Sequence, residues 1–220
     1  MKGSVAVLGN VNLDVICQPV DEVPRRDSMG FEHGAAVAGG CGSNVAIQLG
    51  QLGVKTLLFA VRGDDFSGEI LQRSWDQVGL NSDFVKVNQE SQTGISVVLV
   101  DSDYQPRFLH TPGANEILDG SEIAMDALKL HRTRYLHIAG YFVLPGLLDQ
   151  HFKKILRKVR EAEISISLDV VTSPAMEAPD PLWEILPEIN TFFCNQSEAR
   201  LLSNRKNPRE AARWIFEQGP

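Results

Sequence analysis

Three short stretches of this sequence carry side chains able to do chemistry. In "GNVNLD", Asn10, Asn12 and Asp14 follow an apolar run at alternate positions. In "AVAGGCGSNVAIQLGQLG", residues 36–53, Gly39, Gly40 and Gly42 precede a helical pattern that carries Asn44 in its first turn. In "NQSE", residues 195–198, an amide and a carboxylate are spaced three apart. The glycine stretch is not a phosphate loop of the G-x-x-x-x-G-K-[ST] type, because no Lys-Ser or Lys-Thr pair follows. It is not a dinucleotide fingerprint either, since "GCGSNV" lacks the third glycine.

What remains is a loop whose backbone can approach a ligand closely, with free N–H groups at a helix start. The alternative is a tight turn and nothing more. Asn12 and Asp14 favour a ligand: a carboxylate and amides converging with bare N–H groups make a multidentate donor and acceptor set. Such a set suits a molecule with several hydroxyl groups, such as a sugar.

Positioning these residues requires a real core, and the composition supplies one. The chain has 220 residues, 43% hydrophobic and 22% charged, as in ordinary globular proteins. A formal net charge of -7 argues against a generic nucleic-acid or anionic-membrane surface, which needs clustered Lys and Arg. Cys17, Cys41 and Cys194 form neither a disulfide framework nor a zinc spacing, which points to a reducing, cytoplasmic setting. Near the N-terminus, Asn10, Asn12 and Asp14 interrupt the apolar run before a signal-peptide core or membrane span could form.

Residues 4–8 read as a first strand, residues 43–53 as a helix, and "KTLLFAV" as a buried strand. A second helix opens near Asp64 and Asp65, whose carboxylates suit the positive end of a helix. "GISVVLV" and "PRFLHT" flank the turn-forming "DSDYQ" and read as a hairpin. From Ser121 the pattern is helix to about Leu130, strand "YLHIAG", helix 147–162 and strand "ISISLDV". A short helix 181–186, strand "NTFFCN" and two helices through residues 196–218 follow. Alternation of this kind predicts a mostly parallel sheet with helices on both faces, a three-layer α/β/α domain. Two strand-rich pieces, about 14–37 and 94–111, break the rhythm and could pair into a small second sheet. Ligands in open α/β sheets sit at the carboxyl ends of the strands, which puts Asn12, Asp14 and the glycine loop at one crevice.

"GNVNLD", "GGCGSNVAIQLGQLG", "VRGDDFSGEIL", "TGISVVLVDSD", "RFLHTPGAN" and "NQSEA", in this order, resemble the ribokinase-like, or PfkB, family of carbohydrate kinases across essentially the whole chain. The resemblance implies ATP-dependent transfer of a phosphoryl group to a sugar hydroxyl. Asn12 and Asp14 match the family's sugar-binding Asn and Asp, and Gly39, Gly40 and Asn44 match the loop that contacts sugar hydroxyls. Asn195 and Glu198 match an N-x-x-E motif that organises Mg²⁺ and phosphate, the Glu acting through bound water. A cap on an exposed helix start is the plainer account of that Glu. The strand-rich pieces would form a lid whose closure excludes water. Their exposed edges, with the resemblance, suggest a homodimer through the lid.

The sequence departs from the family pattern in three places. It contains no D-T-x-G-A-G-D motif, which in the family carries the catalytic Asp base and an anion hole. The helical pattern of residues 209–218 ends in Gly219 and Pro220, punctuation that precedes a further element. The chain therefore reads as the N-terminal, catalytically incomplete portion of a longer kinase. Gly140 stands where the ribose-specific branch has a sugar-binding Glu, and Cys41 where some members have Lys. A nucleoside kinase and a non-catalytic sugar-binding or regulatory protein stay open. The five histidines show no metal-binding spacing and read as structural or solvated, and Cys41 reads as a small buried residue despite its place at a helix start.

Overall fold

The computed structural model describes residues 3–172 and 178–219. Its centre is β1 (Val5–Gly9), whose Ala6, Val7 and Leu8 are fully buried. β1 runs within two residues into β2 (Asn12–Gln18), and β3 (His33–Gly39) returns antiparallel to β2 and leads through Gly40 into α1 (Cys41–Gln51). β4 (Thr56–Gly63), α2 (Phe66–Gln77) and β5 (Val85–Asn88) follow. β6 (Gly94–Val100) and β7 (Pro106–Thr111) form the expected hairpin. The rest alternates: α3 (Met125–Leu130), β8 (Tyr135–Ala139), α4 (Gln150–Glu161), β9 (Ser165–Asp169), α5 (Asp180–Ile185), β10 (Thr191–Phe193), α6 (Gln196–Ser203) and α7 (Pro208–Phe216).

The strands form two sheets. Six make a parallel sheet in the order β10-β9-β8-β1-β4-β5, and four make a smaller mixed sheet in the order β3-β2-β6-β7. The smaller sheet is built from the two strand-rich interruptions. It stands at the carboxyl end of β1, because only Asn10 and Val11 separate β1 from β2.

Side-chain alternation gives the large sheet two faces. Ala6, Leu8, Leu57, Phe59, Leu136, Ile138, Ile166 and Leu168 pack with residues of α3 to α7, including Leu128, Phe152, Leu156, Leu182 and Leu202. Val7, Leu58, Ala60 and Ala139 face the other way, against Ala46 of α1 and Leu71 and Trp75 of α2. These are the layers of an α/β/α sandwich. The α1-side helices cover only part of their face: along β8 to β10 the outward row of Tyr135, Ser165, Thr191 and Phe193 is exposed.

Local chemistry explains where the elements begin. Asp65 caps α2, its Oδ1 accepting from the Gly68 N–H at 2.8 Å. α3 starts at Met125, later than the Ser121 expected, because the Glu122 side chain accepts the Gly120 N–H at 3.1 Å and holds a turn there. α4 starts at Gln150, after a 3₁₀ turn over Pro145–Leu148 and the Asp149 cap. β5 has no counterpart in the sequence reading; it is a short edge strand with exposed Lys86 and Val87. No helix among the described residues is long and apolar enough to cross a membrane.

Candidate functional site

The junction between the two sheets is organised by Asn115, buried just beyond β7. Its Oδ1 accepts the Val11 N–H at 2.9 Å. The two hydrogens of its Nδ2 are shared among three acceptors, the carbonyls of Val11 at 3.0 Å and Pro112 at 2.8 Å and Asn12 Oδ1 at 2.9 Å. Donors and acceptors that only the backbone could otherwise satisfy are thereby paired, and the start of β2 is fixed. Asn12, buried, passes the chain on: its Nδ2 donates to Ser96 Oγ at 3.3 Å.

Asp14 lies two residues further along β2 on the same face, opposite Ser96 of β6 and Val37 of β3. Its Oδ1 is enclosed without a hydrogen-bond partner. Burial raises its pKa above the usual carboxylate value, against the opposing influence of the Ser96 hydroxyl and of His110. The room for this carboxylate comes from Gly39, where a Cβ would stand 2.0 Å from Asp14 Oδ2. At Gly40 the backbone turns with φ 85°, and a Cβ would meet the Asn10 carbonyl oxygen at 2.6 Å, so glycine is required on both counts.

The loop is anchored to β1 from its other side. Asn10 Oδ1 accepts the Cys41 N–H at 3.1 Å and the Asn10 carbonyl accepts the Gly42 N–H at 3.0 Å. Trp75 of α2 donates from Nε1 to the buried Ser43 hydroxyl at 3.0 Å and pins the first turn of α1. Asn44, on that turn, is exposed, and its side chain makes no hydrogen bond among the described residues. Asn12, Asp14, Gly39 and Gly40 thus meet in direct contact, with Asn44 open to solvent beside them.

Asn195 and Glu198 occupy the N-terminus of α6 and form a reciprocal capping box. Asn195 Oδ1 accepts the Glu198 N–H at 2.9 Å, and Glu198 Oε2 accepts the Asn195 N–H at 2.7 Å. They border a groove of about 790 Å³ that also includes Asp169, β10 and the α7 residues Ala212, Ile215 and Phe216. Glu198 Oε1 keeps its lone pairs. Cys41 stands within electrostatic reach of both sets of residues: its thiol is pushed up to about 12 by burial and then by the carboxylates of Asp169, Asp14 and Glu198. Burial and the three carboxylates thus act on this half-buried thiol against the helix start.

Ser96, Asn115 and Asp169 were not singled out as site residues from sequence. Ser96 and Asn115 lie inside the quoted stretches "TGISVVLVDSD" and "RFLHTPGAN". Asp169 stands at the carboxyl end of a parallel strand, where ligand-binding residues concentrate. Its carboxylate accepts the Gly140 N–H and lies 3.5 Å from His137 Nε2.

The chain has relatives among known proteins. An ATP-dependent ribose-1-phosphate kinase of Halopiger xanaduensis is 28% identical over 196 residues, 88% of this chain and 62% of that one. A ribokinase of Arabidopsis thaliana is 25% identical over 90% of this chain and 51% of its own length, so the chain spans about half to two thirds of these relatives. The Arabidopsis ribokinase structure with ribose and ATP superposes with a TM-score of 0.80 at 22% identity, covering 100% of this chain and 70% of that one. An E. coli structure with ATP and Mg²⁺ gives a TM-score of 0.81 at 20% identity, covering 99% and 70%. These superpositions bear on the fold. The model of the pfkB family carbohydrate kinases matches residues 2–220, and the chain belongs to that family.

Proposed function

We propose that the protein passes the γ-phosphoryl group of ATP to a hydroxyl of a sugar or sugar-like acceptor held at the crevice between the sheets. The observation that carries this reading is Asp14: a carboxylate oxygen enclosed without a partner, against a glycine that cannot be replaced without displacing it. An ionised carboxylate only accepts, so the group missing from it is a donor such as a hydroxyl. Asn12 adds an amide N–H beyond the one it gives to Ser96, and Asn44 adds an exposed amide on the first turn of α1.

Glu198 and Asn195 would serve the phosphate side. Among the described residues no cluster of three metal-binding side chains occurs. One carboxylate oxygen at the groove nevertheless suits a hydrated Mg²⁺, which keeps most of its waters and takes few protein ligands. Bound with ATP, Mg²⁺ would neutralise charge on the transferring phosphoryl group. Glu198 Oε1 would orient one of its waters, while the capping box keeps that carboxylate fixed. The smaller sheet would act as a lid that excludes water. Its edge strands β3 and β7, with Phe108 and Leu109 exposed, would meet a second copy. The family resemblance assigns the general base and anion hole to a motif not found in these 220 residues, which we read as the acceptor-holding portion of the kinase.

A nucleoside is a second acceptor of the same chemistry. It is favoured by Phe108, which shares the Asp14 face of the smaller sheet and is 63% exposed, as a stacking surface for a base. The test is incubation of the full-length gene product with ATP and Mg²⁺ against a panel of pentoses, hexoses, sugar phosphates and nucleosides. Mass spectrometry should find one class phosphorylated. Saturable sugar binding with no phosphorylated product would overturn the kinase reading in favour of a binding protein.

A further inference from the structure

His110 lies on the same face of the smaller sheet as Asp14, one strand beyond Ser96, in the cross-strand row Asp14–Ser96–His110. Its Nδ1 is 3.1 Å from Ser96 Oγ, and it makes no other hydrogen bond among the described residues. The direction of the chain leading to it is set by the backbone. The Val11 N–H can only donate, so Asn115 must turn Oδ1 to it and Nδ2 to the carbonyls of Val11 and Pro112. Asn115 Nδ2 then donates to Asn12 Oδ1, which turns Asn12 Nδ2 toward Ser96. Ser96 Oγ accepts from Asn12 and has one hydrogen to give, either to His110 Nδ1 at 3.1 Å or to the neighbouring Asp14 carboxylate, whose pKa the hydroxyl lowers. Given to His110, that hydrogen makes Nδ1 the acceptor and leaves the ring proton on Nε2.

Resting on the acceptor-site reading above, we propose that His110 is a specificity-determining residue of this site, presenting an Nε2–H donor to an oxygen of the bound sugar. Two strand spacings, about 9.6 Å between Cα atoms, separate it from Asp14. Allowing for the two side chains, that span takes one monosaccharide ring. The ring would give a hydroxyl hydrogen to Asp14 at one end and receive a hydrogen bond from His110 at the other. Selection would then fall on the configuration at the carbon nearest His110, because an epimer whose oxygen points away leaves the imidazole unpaired.

The experiment is long-range ¹H–¹⁵N spectroscopy of the full-length product at about pH 8, above the ordinary histidine range, with D-ribose and ribose 1-phosphate as probes. His110 should show a protonated Nε2, and its Nε2 signal should move when a probe binds. Ser96→Ala should mix the two tautomers. His110→Ala should weaken probe binding on the order of tenfold, the loss of one hydrogen bond, and His110→Gln, which keeps a donor near the Nε2 position, should restore most of it. A proton on Nδ1, with Ser96 turned to Asp14 instead, would overturn the proposal. So would a saturating probe that leaves Nε2 unmoved. If neither probe nor any other sugar of the panel binds while Nε2 is protonated, the acceptor-site reading fails and the recognition role falls with it. If sugars bind and His110→Ala changes nothing, only the role of His110 fails.

Discussion

The Asp14 carboxylate occupies the space a side chain at Gly39 would need: a Cβ there would stand 2.0 Å from Oδ2 and 2.5 Å from Oδ1. The two residues lie on adjacent antiparallel strands, Gly39 opposite Asn12 and Asp14 opposite Val37. The glycine loop is therefore more than a flexible turn. It is the surface on which the carboxylate rests.

Gly39→Ala should accordingly act on binding by displacing Asp14. Sugar affinity should fall about tenfold to a hundredfold, the value of a hydrogen bond to a charged group, while circular dichroism stays that of the parent. Unchanged affinity would show that the contact does not position Asp14.

Asp14 gives a signed pH dependence. Burial raises its folded-state pKa above 3.8, so the folded protein holds this proton more tightly than the unfolded chain. Its contribution to stability is complete at low pH and is lost as pH rises through the raised pKa. At neutral pH Asp14→Asn should therefore be more thermostable than the parent, by about 1–2 °C for a partly screened carboxylate in a domain of this size. The advantage should vanish below about pH 3.8, the ordinary aspartate value. Sugar affinity should run the opposite way, failing as acid protonates the group. Equal melting temperatures at neutral pH would contradict the burial cost.

Asn115→Ala strands the Val11 N–H, the Val11 carbonyl and the Asn12 amide oxygen in buried surroundings. Three unpaired groups should cost about 3–5 kcal/mol in urea unfolding, with loss of sugar binding even where the fold survives. A change below about 0.5 kcal/mol, the range of ordinary surface substitutions, would contradict the bridging role.

Cys41 should resist alkylation. With its thiol pushed up to about 12, iodoacetamide at about pH 8 should modify it far more slowly than a free thiol in a denatured control. Rapid labelling of Cys41 in the folded protein would show that the helix start outweighs burial and the three carboxylates.

Much of the fold was legible because its signals are local. Apolar runs marked β1, β4, β8 and β9, Asp65 marked the start of α2, and "DSDYQ" marked the turn between β6 and β7. β5 was not, since "VKVN" is a short edge strand with half its side chains in solvent. The start of α3 was misread because Glu122 turns back onto Gly120, a contact that competes with helix. Asn12, Asp14 and the glycine loop stood out by type and spacing. Ser96 and His110 enter the site through strand register and Asn115 from the turn after β7, across sequence separations of 84 to 104 residues, and no local pattern carries that.

The most direct measurement is titration calorimetry of the full-length product with the sugar it phosphorylates, parent against Asp14→Ala. A saturable heat is expected for the parent and at least a tenfold loss of affinity in the variant, the lower range for a charged hydrogen bond. Parent-like affinity and turnover in Asp14→Ala would contradict it and move the acceptor site away from the crevice between the two sheets.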